Sequence, residues 1–140
     1  MDSKKVYYID SDVIINSVRD SKNLFGKDIS DPSIKLFWES VRCKFYMAIS
    51  TWTLKELSKH VEPMQIMPFF EFAKKKIITL KYDEKDISAA RERSKTNFDD
   101  ALHIVIAEKN KVDCIVTRNV NHFEEIGTNI TIKKPEWLFN

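Results

Sequence analysis

Twice along this chain a short run of β-branched and aromatic residues stops at hydroxyl or acidic side chains and hands over to apolar residues at helical spacing. Val6-Tyr7-Tyr8-Ile9 ends at Asp10-Ser11-Asp12, a triplet able to cap the helix carried by Val13, Ile14, Ile15 and Val18. Phe45-Tyr46-Met47-Ala48-Ile49 ends at Ser50-Thr51, after which Leu54, Leu57 and Val61 share one helical face. Each unit reads as strand, polar turn, helix. Further on, Lys76 to Leu80 and Cys114-Ile115-Val116 read as a third and fourth strand, and Ile130-Thr131-Ile132 as a weak fifth. Strands that alternate with helices predict an α/β fold: a three-layer sandwich whose mostly parallel, four- or five-stranded sheet is flanked by helices.

The remaining segments fit between these strands. Lys22 to Ser30, with Gly26, reads as a loop, and Asp31-Pro32 opens a helix through Ile34, Phe37, Trp38 and Val41 that ends near Lys44. A short helix is expected from Met64 to Phe72, a polar surface helix from Asp83 to Lys95, and another helix from Asn97 to Asn110. With 140 residues, 43% of them hydrophobic, and no repeat or linker, residues 1–140 are expected to form a single domain. The two cysteines, Cys43 and Cys114, have no partner at metal-ligand spacing, so neither a disulfide framework nor a zinc knuckle is expected. No stretch approaches the roughly 18 apolar residues of a membrane span, which predicts a cytoplasmic protein. Net charge is only +2, so nucleic-acid binding would need a local arrangement of charge.

In an open parallel sheet, ligands collect beyond the carboxyl ends of the strands. Asp10 and Asp12 follow the first strand, Glu56 lies in the helix after the second, and Thr117, Arg118 and Asn119 follow the fourth. Asp99 and Asp100 open the helix that leads into the fourth strand, and only the tertiary fold decides where they point. Carboxylates gathered in one pocket raise one another's pKa, and such a cluster persists by sharing protons or binding a cation. A set of oxygens without His or Cys suits Mg2+ or Mn2+. Each residue also has an ordinary use. Asp10, Ser11 and Asp12 serve as helix caps, and Asp99 and Asp100 as first-turn acids behind a Thr96 or Asn97 cap. Glu56, roughly opposite the Leu54, Leu57 and Val61 stripe, reads as a solvated residue bridging to Lys59 or His60. Asn119 reads as a turn residue, His103 as a packed or supporting imidazole, and Cys114 as core.

Four segments taken together resemble the PIN domain, and the VapC-type toxins within it. They are Tyr8-Ile9-Asp10-Ser11-Asp12-Val13-Ile14-Ile15, Ser50-Thr51-Trp52-Thr53-Leu54-Lys55-Glu56-Leu57, Asp99-Asp100-Ala101-Leu102-His103-Ile104, and Ile115-Val116-Thr117-Arg118-Asn119-Val120-Asn121-His122-Phe123. The resemblance spans essentially the whole chain in the family's order. It implies a metal-dependent endoribonuclease that leaves 5′ phosphates, the toxin of a toxin-antitoxin pair and a homodimer, with Asp10, Glu56, Asp100 and Asn119 as its catalytic and metal-binding set. Asp10 and Asp100 are then expected as direct ligands of Mg2+ or Mn2+. Glu56 would act through water or as a general base, and Asn119 would hold a metal-bound water. Asp12, Asp99 and Thr117 are expected to line the pocket. Arg118 is expected beside the RNA substrate, with Arg91, Arg93, Lys95 and the run Lys74 to Lys76 as weaker candidates. Asn119 stands where many members carry Asp and removes one charge, which bears on a second metal; Asp12 stands where Asn is common.

Two other readings compete. A degenerate PIN module would bind RNA or a protein partner without cleaving. A receiver-like phosphoacceptor would need an Asp ending the third strand, where Leu80-Lys81-Tyr82-Asp83 offers only a displaced one.

Overall fold

The computed structural model of the chain describes residues 4–19, 45–64, 67, 71 and 77–139. Strand β1 (Val6–Ile9) runs into helix α1 (Ser11–Arg19), and β2 (Tyr46–Ser50) into α2 (Thr51–His60). Strand β3 (Ile77–Leu80) is followed by α3 (Glu84–Arg93) and α4 (Phe98–Lys109). The chain closes with β4 (Cys114–Val116), α5 (Val120–Ile126), β5 (Thr131–Lys133) and a 3-10 turn at Pro135–Phe139. The loop expected at Lys22–Ser30, the helix expected from Asp31 to Lys44, most of the helix expected at Met64–Phe72, Cys43 and the Lys74 to Lys76 run lie outside the described residues.

All five strands are parallel, in the order β3-β2-β1-β4-β5. The fold class is therefore as expected, with five strands rather than four. The fifth strand begins one residue later than its apolar pattern suggested, because Ile132 pairs with Ile115 and Lys133 with Val116. From β1 the chain builds outward to β2 and β3, then returns to lay β4 on the other side of β1. The crevice beyond β1 and β4 is thus the point where strand order reverses, the usual ligand position in such sheets.

Side chains alternate between two cores, as period two requires. Ile9, Met47, Ile49, Cys114 and Val116 face one side, where they meet Val13 and Ile14 of α1 and Leu57 of α2. Tyr8, Ala48 and Ile115 face the other, against Ala90 of α3, Leu102, Ile104 and Ile106 of α4, and Phe123 of α5. Every residue from Ala101 to Ala107 is buried. A helix apolar all round is a core helix, so the one ionisable residue in that run, His103, is carried into the interior. Cys114 is buried as well, and burial pushes its thiol up to about 11, consistent with a core residue and not a nucleophile.

Candidate functional site

Asp10 leaves β1 at the reversal point. Its backbone N–H donates to the Val116 carbonyl oxygen at 2.9 Å, which ties it to β4, and its side chain is only 3% exposed. The Thr117 hydroxyl donates to Asp10 Oδ2 at 2.7 Å and the Ser11 backbone N–H to Oδ1 at 2.8 Å. The Ser11 bond comes from the first residue of α1, whereas a capping carboxylate reaches the second or third. Asp10 is accordingly held as a fixed, buried acid between two strand ends and not spent on the cap.

Glu56 departs from its ordinary reading. The helical wheel places it away from the apolar stripe of α2, and that placement holds, but the far side of α2 faces α1 and α4 instead of water. The Ser11 hydroxyl donates to Glu56 Oε1 at 2.7 Å, and His103 Nε2 lies 2.7 Å from the same oxygen. Both bonds fall on Oε1; Oε2 takes no hydrogen bond among the described residues. Burial would raise the Glu56 carboxyl, but the bonds and charge of His103 and the Ser11 bond outweigh it and hold it below its usual range.

His103 is the hub of this arrangement. Its Nδ1 lies 2.6 Å from Tyr8 Oη, and Tyr8 donates to Ser50 Oγ at 2.8 Å. Ser50 in turn caps α2 by accepting from the Thr53 backbone N–H at 3.1 Å, one turn before Glu56. His103 Nε2 is also 3.4 Å from Asp10 Oδ1. Burial disfavours a charged imidazole, yet the oxygens of Tyr8, Glu56 and Asp10 overcome this and hold the pKa of His103 well above its ordinary value. A buried imidazolium with both nitrogens donating accounts for both short contacts. The expectation of a supporting imidazole agrees with this placement. The sequence reads Ser11 only as a cap and Tyr8 only as a strand residue, although a Tyr hydroxyl must find a partner when buried.

The other acids ring this hub. Asp12, in the first turn of α1, accepts from Asn119 Nδ2 at 3.2 Å, and its Oδ1 is buried with no hydrogen-bond partner among the described residues. Burial first, then the neighbouring Asp10 carboxylate, pushes the Asp12 carboxyl up to about 8. Asp100 opens α4, 3.6 Å from His122 Nδ1, and lies within the field of Glu56 and Asp12. Burial raises the carboxyls of Asp10, Asp99 and Asp100 in the same direction. Thr117 also accepts from the Asn119 backbone N–H at 3.0 Å, so one hydroxyl orients both Asp10 and the turn after β4.

The structure thus brings Asp10, Asp12, Glu56, Asp100, Thr117 and Asn119 to one end of the sheet, with Asp99 at its margin. Arg118 stands beside them, its guanidinium 3.7 Å from Glu136. Arg93 does not join them: it pairs with Glu108 and donates to the Gly127 carbonyl oxygen at 2.7 Å. Among the described residues there is no group of three or more His, Cys, Asp or Glu that could hold a metal ion as the side chains stand. The acids are instead bonded to Thr117, Ser11, Asn119 and His103. In donor chemistry alone the set suits a hard divalent cation: it is all oxygen, Asp12 Oδ1 is buried with no hydrogen-bond partner among the described residues, and Asp10, Asp12 and Asp100 carry raised pKa values that a cation would relieve.

A pH dependence follows. A group whose folded-state pKa is raised stabilises the fold fully below its unfolded value and loses that contribution as pH climbs through the folded value. Asp10, Asp12, Asp99 and Asp100 all shift upward, so the window runs from about 4 to about 8 for Asp12. In chelator, raising pH from 5 to 8 is expected to lower the unfolding free energy by about 2 kcal/mol, the half-buried Asp12 giving less than its full shift would allow. Chemical denaturation at the two pH values checks this; equal midpoints would contradict it.

Several solved structures are similar to this chain, two of them complexes bound to DNA fragments. One is the crystal structure of VapBC2 from Rickettsia felis bound to a DNA fragment from their promoter, with a TM-score of 0.64 at 18% identity, covering 92% of this chain and 98% of that one. The other is FitAB bound to an IR36 DNA fragment, at 0.60 and 12%, covering 92% and 94%. No protein-family model and no curated protein matches the sequence. The likeness is therefore one of architecture, and with its all-parallel sheet and helices on both faces the chain has the PIN-like α/β fold.

Proposed function

We propose that this chain is a divalent-metal-dependent endoribonuclease that hydrolyses RNA phosphodiester bonds, acting as the toxin of a toxin-antitoxin pair. The observation that carries the reading is the convergence, at the strand-order reversal, of acids from the end of β1 and from α1, α2 and α4, close enough to act on one another's charge. The sequence resemblance to VapC-type toxins and the fold shared with a chain of the VapBC2 structure support it. An antitoxin partner, a homodimer and a cytoplasmic location belong to the same proposal. Among the described residues no helix is long and apolar enough to cross a membrane.

Phosphodiester hydrolysis needs an activated water, neutralisation of charge growing on the phosphoryl oxygens, and a leaving oxygen in line. A bound Mg2+ or Mn2+ would supply Lewis acidity and lower the pKa of a water it holds. Asp10 and Asp100 would hold the ion, with Asp12 Oδ1 as a further oxygen. The hydroxyl of Thr117 fixes the Asp10 carboxylate, and Ser11 with His103 fixes Glu56 by one oxygen so that the other remains for a ligand. A carboxylate held as an anion by an imidazole is better suited to binding than to accepting a proton at neutral pH, which favours the ligand role of Glu56 over the general base. Asn119 keeps the Asp12 carboxylate oriented through its amide.

Incubating varied single-stranded and hairpin RNAs with the chain in Mn2+ and in chelator tests this. Cleavage to 5′-phosphorylated fragments in Mn2+ alone is expected. A second reading, a PIN module that binds without cutting, draws on the acids' being engaged in internal hydrogen bonds; Mn2+ binding without cleavage of any RNA would favour it.

A further inference from the structure

Next to the acids lies a second space of about 280 Å3, lined by Arg118, Asn119, His122, Lys134 and Trp137 among others. It shares a wall with the acidic site, because Asn119 also donates to Asp12 and His122 also faces Asp100. Its far wall is the turn after β5. In that turn Pro135 is buried and Leu138 packs against the core, while Trp137 is 46% exposed. Core packing is thus met by its neighbours, and the Trp137 ring is left open to solvent at the edge of this space. The Lys134 ammonium lies 5.7 Å from the Trp137 ring centroid. An aromatic face beside cationic and amide side chains matches the stacking platforms that hold single-stranded nucleic acid without sequence preference. The volume lies just below the range of pockets for small ligands and suits one base, not a run of them.

We infer that this space seats the nucleobase next to the scissile phosphate of a single-stranded RNA, stacked on Trp137. Lys134 meets the backbone phosphate beyond it, and the exposed His122 imidazole lies on the path between base seat and acids. The inference rests on the nuclease reading for the position of the scissile bond, but the seat itself is tested without cleavage. A fluorescein-labelled single-stranded RNA is titrated with the full chain in chelator, using the parent, Trp137→Ala and Trp137→Phe, and the same three proteins are assayed with Mn2+.

Trp137→Ala is expected to weaken binding on the order of tenfold, and Trp137→Phe, which keeps a stacking face, by roughly threefold or less. In Mn2+ the loss should sit in KM and not in kcat. Equal affinity of the parent and Trp137→Ala would overturn the seat, as would a parent that binds no single-stranded RNA. A Phe variant as weak as Ala would overturn it too. If the parent binds, Trp137→Ala does not, and no RNA is cut in Mn2+, the seat stands and the nuclease reading fails. If RNA is cut with unchanged KM in Trp137→Ala, the nuclease reading stands, the seat fails, and the exposed Trp is left to a protein partner.

Discussion

Asp10→Asn is expected to lower Mn2+-dependent RNA cleavage by a factor of about 10^2 to 10^3 or more while leaving the fold at least as stable as the parent. Both halves follow from one placement. Asp10 is almost fully buried, hydrogen-bonded by Thr117 and Ser11, and its carboxyl is raised by burial despite those bonds and the nearby His103. A group whose charge is disfavoured by its surroundings costs the fold something at neutral pH, so the uncharged isostere relieves that cost. The same substitution removes an anionic oxygen from the candidate cation site, and losing one preorganised electrostatic partner costs catalysis on this scale. Initial rates and denaturant midpoints measured side by side are the check. Parent-like cleavage by Asp10→Asn would show that Asp10 is not in the machinery. Loss of cleavage with a large fall in stability would show that its role is structural.

His103→Ala is expected to have the largest effect on stability, about 3–5 kcal/mol. The imidazole is fully buried and sits between Tyr8 Oη at 2.6 Å and Glu56 Oε1 at 2.7 Å. Removing it leaves an anionic Glu56 and a buried phenol short of a partner, and opens a cavity in a helix buried along Ala101 to Ala107. Tyr8→Phe takes away only one end of the chain of bonds and should cost about 1–3 kcal/mol. Because the two residues share a network, the double variant should cost less than the sum of the single ones. Denaturant unfolding of the four proteins measures this cycle. Additive losses, or a His103→Ala loss under about 1 kcal/mol, would mean that the imidazole is not the hub described.

The fold was legible where local pattern and tertiary demand agree. β1 and β4 are short apolar runs because both of their faces are covered, and Ser50 and Asp83 are acceptors placed where α2 and α3 need caps. Asp83 accepts from the backbone N–H groups of Lys85 and Asp86, so the same residue that a receiver-like reading would enlist as an acceptor is a cap. Helix α5 escaped notice because seven residues carry little periodicity, although Val120, Phe123 and Ile126 already recur every third position. Glu56 shows a deeper limit. A wheel reports that a residue leaves the apolar stripe of its own helix, but not whether the other side meets water or two further helices. His103 is the converse case: the continuous apolar run around it marks a core helix, and a lone imidazole in such a helix must be bonded, but its partners Tyr8 and Glu56 lie 95 and 47 residues away in sequence. Asp100 and Asp12 come together only because the sheet order reverses beside β1, a long-range fact that no local window contains.

The central claim is that carboxylates drawn from separate helices and a strand end make one divalent-cation site, and unfolding with and without Mn2+ tests it most directly. At about a hundredfold excess over its dissociation constant, an ion bound only by the folded chain adds about 2.7 kcal/mol. The parent should gain that increment in Mn2+ over chelator, and Asp10→Asn and Asp100→Asn should each lose most of it while remaining folded. An unfolding curve for the parent that Mn2+ does not move, or a gain that both variants keep in full, would contradict the site.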